Sequence, residues 1–249
     1  MKSLVLVLAS TLLFGSIARA EDHIWSKQGT ELYLVLGNEG IGHVKPLRVY
    51  SPDHLKRFQI DFHAGREGDA IPDANIIIGK QTIPVELDKE WAQVEVLWSP
   101  DSKSLALTGS FNAYTNSTKI VLLTANGTKA VSLDAPHQDM ARTYPACKAQ
   151  GADNEYCRKE EDGASFNYAS VAWADPHTVV IMAEVPCSSS QGGIMCQVAG
   201  YELDTRTGGI VNRMTARQLK QRWQNNLAFN LHIPTAPEWQ STTQSHLLP

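Results

Sequence analysis

The side chains best suited to chemistry in this 249-residue sequence form no compact motif. Asp61 and His63 are two residues apart, so on a strand they would share one face, with Asp69 and Asp73 following in the sequence. Imidazole and carboxylate groups are ordinary metal ligands, but a stable site holds three or four of them together. We therefore expect these groups to be solvated, and we predict neither a metal site nor a cofactor.

The familiar catalytic motifs are also missing from the sequence. It contains no Gly-x-Ser-x-Gly turn, no His-Glu-x-x-His helix, no phosphate-binding P-loop and no dinucleotide fingerprint. The eight histidines are dispersed, and none of them pair at a metal-ligand spacing. We therefore predict no catalytic residues and expect a protein that is not an enzyme.

Residues 1–20 have the pattern of a secretory signal peptide. Lys2 supplies a positive start, Leu4–Phe14 is apolar, and Ala18–Ala20 places small residues before a cleavage site. The apolar run is shorter than the ~20 residues that cross a bilayer. We therefore expect cleavage after Ala20, a mature chain that begins at Glu21, and a periplasmic or secreted localisation.

The charge of the chain argues against two classes of partner. Its formal net charge is −4, and loss of residues 1–20, which include Lys2 and Arg19, would make it −6. Binding to nucleic acid or to anionic lipid depends on clustered Lys and Arg. We expect no nucleic-acid partner, and no transmembrane segment in the mature, soluble chain.

All four cysteines lie in the second half of the chain, at Cys147, Cys157, Cys187 and Cys196. An even number in an exported protein favours disulfides, whereas the intervening nine and eight residues do not match the short Cys-x₂₋₄-Cys spacing of zinc sites. Pairing of neighbours would close two short loops, but all three possible pairings remain open. A bond between Cys147 and Cys157 would cross-link an insertion at residues 134–165. This insertion is either a binding loop or a purely structural one.

Short runs rich in β-branched and aromatic residues fill the chain from residue 31 to 213, with Gly, Pro and Asn between them. This pattern predicts an all-β antiparallel fold. Asn126-Gly127 is typical of a hairpin with a type I′ turn, because both central residues of that turn need positive φ.

One helix is predicted at residues 216–227. Thr215 is a good N-cap, and Gln218 completes a capping box. An i, i+4, i+8 spacing places three apolar residues on one face: Leu219, Trp223 and Leu227. The helix would either dock a partner or cover an exposed sheet edge. Residues 234–249 are expected to form a flexible tail.

Three segments of the sequence repeat one plan, in which an aromatic residue ends an apolar run and a turn follows. They are residues 49–54 with Tyr50, 97–102 with Trp98, and 172–177 with Trp173. Proline presets φ for a type I turn, and Asp or Ser accepts backbone N–H bonds around it. The two tryptophans either form a binding platform or pack within the repeated sheets.

The segment Trp98-Ser-Pro-Asp-Ser102, followed by Leu105-Ala106, resembles the TolB-type β-propeller repeat, whose signature is Trp-Ser-Pro-Asp-Gly-x-x-Leu-Ala. Ser102 stands where the family prefers Gly, Tyr50 replaces Trp in the first copy, and the third copy exchanges Asp and Pro. The resemblance covers residues 94–213, and residues 45–93 more weakly.

This resemblance implies propeller-like antiparallel blades. Propellers normally have 4–8 blades, and the sequence offers two complete copies and a partial one, so we expect an incomplete or open propeller, with a sandwich or irregular barrel as the alternative. The expected organisation is a signal peptide at 1–20, one β domain at 21–233 and the tail.

Such a fold implies a binding role only by analogy. We expect an exported, soluble, non-catalytic interaction protein of the cell envelope, with an envelope protein as its partner. The alternatives are a small-ligand or glycan binder, and a hydrolase without a recognisable motif.

Overall fold

The computed structural model describes residues 25–34, 47–64, 70–88, 91–112, 115–144, 166–185, 197–231 and 233. These residues form thirteen strands and two helices: β1 (Thr30–Tyr33), β2 (Leu47–Tyr50), β3 (Lys56–Ala64), β4 (Ala70–Ile78), β5 (Gln81–Val85), β6 (Gln93–Trp98), β7 (Ser104–Asn112), β8 (Thr115–Thr124), β9 (Gly127–Val131), α1 (Asp134–Thr143), β10 (Asn167–Asp175), β11 (Thr178–Glu184), β12 (Val198–Asp204), β13 (Gly209–Thr215) and α2 (Ala216–Trp223).

The strands form three antiparallel sheets, and each sheet contains four strands that follow one another along the chain. The first sheet has the order β2-β3-β4-β5, the middle sheet β1-β6-β7-β8-β9, and the third sheet β10-β11-β12-β13. None of the three closes on itself in the described part of the chain. The predicted all-β fold with propeller-like, open blades and a C-terminal helix is therefore confirmed, and the first copy of the repeat is a complete sheet.

The three sheets pack face to face, with the middle sheet buried on both sides. Val94 and Val96 of β6 face a core shared with the first sheet, whereas Leu97 faces a core shared with the third. All six residues of β6 are buried, including the polar Gln93 and Glu95, because this strand is enclosed between the two neighbouring sheets. A third core lies between the third sheet and α2, where Leu219 is fully buried.

Helix α2 begins as predicted but ends earlier. Thr215 and Gln218 make both hydrogen bonds of the capping box, and the helix stops at Trp223. Leu227 then forms an isolated antiparallel bridge with Ser26. The helix is shorter than the predicted 216–227 because the chain leaves it to pair with the N-terminal segment.

Two local features differ from the sequence-based expectation. At the β8–β9 turn Gly127 has a φ of 134°, but Asn126 does not have positive φ, so the hairpin is present and the type I′ turn is wrong. Helix α1 lies in the predicted insertion and was not expected, since its N-cap, Leu133, makes no side-chain cap bond. Tertiary contacts hold it: Asp139 accepts hydrogen bonds from Tyr201 and Arg213 of the third sheet.

Several predictions lie outside the described residues. These are the signal peptide at 1–20, the tail at 234–249, and the disulfides of Cys147, Cys157, Cys187 and Cys196. They stay predictions, as does the division of the chain into segments. Neither described helix is long and apolar enough to cross a membrane.

A candidate binding cleft at the repeated turns

The turns of the first and middle sheets are built by the same hydrogen bonds. In the first, the Ser51 amide donates to the Lys56 carbonyl at 3.0 Å, and the Ser51 hydroxyl donates to Asp53 Oδ1 at 2.6 Å. The Lys56 amide donates back to Ser51 Oγ at 3.1 Å. Serine and aspartate thus satisfy the backbone of a tight turn, which is the structural reason for these residues in the repeated motif.

The middle turn repeats this arrangement at the equivalent positions. The Ser99 amide donates to the Ser104 carbonyl at 2.8 Å, the Ser99 hydroxyl donates to Asp101 Oδ1 at 2.8 Å, and the Ser104 amide donates to Ser99 Oγ at 2.9 Å. Two segments 48 residues apart therefore fold locally in the same way, which supports the repeat found in the sequence.

The position after the motif aspartate has a left-handed backbone in both turns. His54 has a φ of 58° and Ser102 a φ of 59°, and they are the two non-glycine residues with positive φ in the described chain. This conformation favours glycine, which accounts for the glycine of the resembled repeat. The buried Ser102 hydroxyl also accepts a hydrogen bond from the Asp53 amide at 3.1 Å, so it links the two turns.

Asp53 serves as an ionised anchor of its turn. Hydrogen bonds from the Lys56 ammonium, the Ser51 hydroxyl and the Leu55 amide hold the pKa of its carboxyl well below the usual range. A carboxyl that stays ionised and is fully engaged in its own turn is poorly suited to general acid or base chemistry.

The repeated aromatic residues lie in equivalent places with different surroundings. Trp98 packs into the core between the first and middle sheets, and Trp173 into the core between the middle and third sheets. Both are 8% exposed, so they are core residues, as one of the two sequence-based alternatives proposed. Tyr50 is 51% exposed, because no described sheet precedes the first one.

A cleft of about 340 Å³ opens where the repeated turns and the start of β1 meet. Its volume falls in the range of small-ligand sites. The lining residues come from all three sheets and from the N-terminal segment: Gln28, Thr30, Val49, Tyr50, Ser51, Pro52, His54, Val96, Leu97, Trp98, Pro100 and Trp173. We call this site the aromatic cleft.

The hydrogen bonds of its two tryptophans differ. The Trp173 indole N–H donates to the Leu97 carbonyl at 3.2 Å. The Trp98 indole N–H is buried and has no hydrogen-bond partner among the described residues. Burying an unpaired donor costs roughly 1–3 kcal/mol, so this indole N–H would gain from a hydrogen-bond acceptor.

The aromatic cleft carries little charge. Its described lining residues include no Asp, Glu, Lys or Arg, and its one imidazole, His54, lies beside Tyr50 with ring centroids 6.5 Å apart. A phosphate or carboxylate ligand would find no fixed cation there. The surroundings therefore suit a neutral ligand with flat apolar faces and at least one hydrogen-bond acceptor.

A carboxyl pair, one member fully buried and the other partly buried, lies on the strands that carry the N-terminal part of the cleft. Glu95 of β6 is fully buried and accepts hydrogen bonds from the amides of Trp25, at 2.8 Å, and Ser26, at 3.1 Å. Glu31 of β1 is opposite Glu95 in the register, and its Oε1 is buried with no partner among the described residues.

Burial raises the pKa of Glu95 from its ordinary value of 4.5 to about 8. The two amide hydrogen bonds oppose this effect, and the negative charge of Glu31 adds to it. At neutral pH, Glu95 therefore holds a proton while it ties the N-terminal segment to the middle sheet.

Three of the four residues considered for a metal site are described, and they lie on the first sheet. Asp61 and His63 share the face of β3 that points away from the core, and Asp73 of β4 is opposite Asp61, whereas Asp69 lies outside the described residues. Gln59 donates to both oxygens of Asp61, at 2.9 and 2.8 Å. Within the described ranges, no group of three or more His, Cys, Asp or Glu side chains is placed to hold a metal ion.

Sequence reasoning missed the cleft and the carboxyl pair. The aromatic residue of each repeat could have indicated the cleft. In an open fold, the first copy of a repeat has no earlier sheet to cover its aromatic ring. The pairing of Glu31 with Glu95 left no such signal, because it depends on strands 64 residues apart in the sequence.

Comparison with known proteins gives a distant likeness. No protein-family model matches the chain, and no curated protein matches it. Among solved structures, the chain is similar to the crystal structure of TolB from Acinetobacter baumannii, with 14% sequence identity and a TM-score of 0.32. The match covers 67% of this chain and 31% of that TolB chain, so this chain spans less than a third of it.

Proposed function

We propose that this protein is an exported, non-catalytic binding protein of the cell envelope, which holds its partner at the aromatic cleft. The observation that carries the proposal is the aromatic cleft itself, which is lined by Trp98, with its unpaired indole N–H, and by the half-exposed Tyr50. Aromatic rings with a few polar groups are the usual lining of binding sites in proteins.

The chemistry of the cleft supports binding over catalysis. Acid–base and nucleophilic catalysis need a titratable pair within hydrogen-bond reach of each other and of the substrate. Tyr50 and His54 are the two titratable groups among the described lining residues, and their rings lie 6.5 Å apart in a tilted arrangement. A small-ligand binder is the second candidate, because the volume of about 340 Å³ suits it.

Site-specific photo-crosslinking tests the binding role. A photo-reactive amino acid at position 50 of the full chain, in cells that export it, should form an adduct with one envelope protein. The same group at position 211, which is 63% exposed but lies on β13 away from the cleft, is the matched control. Trp98→Phe combined with the group at position 50 should reduce the adduct. Equal adducts at both positions, or none, would contradict the proposal.

Two further measurements test the export and the lack of catalysis. N-terminal sequencing of the exported protein should begin at Glu21, and alkylation before reduction should leave all four cysteines unmodified. Four alkylated thiols would contradict the disulfides. Hydrolysis of any substrate in a panel, abolished by His54→Ala, would make the protein an enzyme.

A further inference from the structure

The chemical class of the partner follows from the lining of the aromatic cleft, and it rests on the proposed function above. Three properties of the cleft narrow the class: its lack of charge, its unpaired donor, and its combination of an exposed ring with two prolines. Each excludes some ligands.

The lack of charge excludes ligands that need a counter-ion. No described lining residue is an acid, a lysine or an arginine, so a phosphorylated, strongly acidic or strongly basic segment would lose hydration without gaining an ion pair. The part of the partner that enters the cleft is therefore uncharged.

The unpaired indole N–H of Trp98 would be satisfied by a strong hydrogen-bond acceptor. Trp98 is 8% exposed, and its N–H has no described partner, although the equivalent N–H of Trp173 donates to a backbone carbonyl. A backbone carbonyl is thus the acceptor already used at this position of the repeat. A segment in the polyproline II conformation presents such carbonyls, because it has no internal hydrogen bonds.

The half-exposed ring of Tyr50 offers an aromatic surface on which a proline can pack. Tyr50 is half exposed at the rim, and Pro52 and Pro100 flank the cleft on the two repeated turns. A proline-rich segment already holds its bound backbone shape, so little conformational entropy is lost when its rings pack on an aromatic surface. The Trp98 N–H is closed off from solvent in the free protein, so binding as proposed includes a side-chain movement in the cleft as the segment enters.

We propose that the aromatic cleft binds an uncharged, proline-containing extended segment of a protein partner, with one of its backbone carbonyls accepting the Trp98 indole N–H. Tyr50 supplies the ring on which a proline packs, and Gln28 and Thr30 of the N-terminal segment also line the cleft.

Titration of the full mature chain with a defined peptide tests this proposal. The probe is a blocked nine-residue peptide of alanine and proline, and the control peptide replaces each proline with alanine. In ¹H–¹⁵N spectra, the indole resonance of Trp98, assigned with Trp98→Phe, should shift with the first peptide and not with the second. Trp98→Phe should weaken binding about tenfold, as expected for the loss of ~1.4 kcal/mol.

Tyr50→Ala is the second variant, because its exposed side chain can be removed without loss of a core contact. It should also weaken binding by at least tenfold, whereas Val211→Ala should leave it unchanged. Urea unfolding of each variant shows whether the fold is retained.

The outcomes separate this proposal from the proposed function. If an envelope protein crosslinks at position 50 but the proline peptide neither binds nor competes, the ligand class is wrong and the binding role stands. If a neutral oligosaccharide such as chitohexaose shifts the Trp98 resonance and the peptide does not, the cleft is a glycan site. If neither binds and no crosslink forms, both proposals fail.

Discussion

The indole N–H of Trp173 donates to the carbonyl oxygen of Leu97 across the junction of the middle and third sheets, at 3.2 Å, whereas the equivalent N–H of Trp98 is unpaired among the described residues. Both tryptophans are 8% exposed, so the two positions form a matched pair that differs mainly in this bond.

Trp173→Phe should therefore destabilise the protein more than Trp98→Phe. Each substitution removes a similar ring area, but only the first removes a hydrogen bond between sheets, which is worth ~1 kcal/mol. Urea unfolding of the two variants should show a difference of about that size. An equal or larger loss for Trp98→Phe would mean that its N–H is paired in solution.

His54→Gly should raise the stability of the protein, because His54 has a φ of 58° and glycine adopts this region without a steric penalty. The left-handed conformation costs a side-chain-bearing residue ~1–2 kcal/mol, and glycine loses ~0.4–1 kcal/mol through the entropy of the unfolded chain. We expect the free energy of unfolding, measured by thermal denaturation, to rise by roughly 0.5–1 kcal/mol.

His177→Gly is the control for that change. His177 lies in the turn of the third sheet, and its φ is not positive. Glycine there should lower stability by up to ~1 kcal/mol, since only the entropic cost remains. Gains at both positions would show that backbone strain is not the cause.

The stability of the protein should fall as the pH rises from about 4.5 to about 8. Burial raises the pKa of Glu95 to about 8 in the folded state, so the folded protein binds a proton that the unfolded chain has released. This contribution is complete below the ordinary pKa of 4.5 and is lost as the pH passes 8. The slope from this one group approaches 1.4 kcal/mol per pH unit, as an upper limit.

Glu95→Gln tests whether Glu95 causes this pH dependence. Glutamine resembles the protonated carboxyl and can still accept hydrogen bonds from the amides of Trp25 and Ser26. The variant should flatten the pH dependence of unfolding between pH 5 and 8. Glu31→Gln should lower the pKa of Glu95, because it removes a nearby negative charge that raises this pKa. The loss of stability should then end at a lower pH than in the parent protein. Glu86→Gln, at an exposed position, should leave the profile unchanged.

Leu219→Ala should cost about 2–5 kcal/mol, because Leu219 is fully buried between α2 and the third sheet. A Cβ built on Gly200 would come within 2.8 Å of Leu219, so Gly200→Ala should destabilise as well. Val211→Ala, at an exposed site of the third sheet, should change stability by less than ~0.5 kcal/mol. A small effect of Leu219→Ala would mean that α2 does not cover the sheet and is available to a partner.

The sequence by itself determined the local structure of this protein. Ser51 and Asp53, like Ser99 and Asp101, build their turns from neighbours within five residues, and the Thr215–Gln218 capping box is complete within four. Short apolar runs between such turns predicted the antiparallel strands, since the hydrogen bonds of each hairpin are made by adjacent segments.

Only the tertiary structure decided where the sheets meet and what their junctions expose. The pairing of β1 with β6 brings Glu31 opposite Glu95, and the burial of Glu95 depends on long-range packing rather than on neighbouring residues. The same packing buries Trp98 and Trp173 but leaves Tyr50 half exposed, since the first sheet has a neighbour on one face only among the described residues. Residues of one repeated pattern therefore differ in role, because burial is set by the neighbouring sheet and not by the motif.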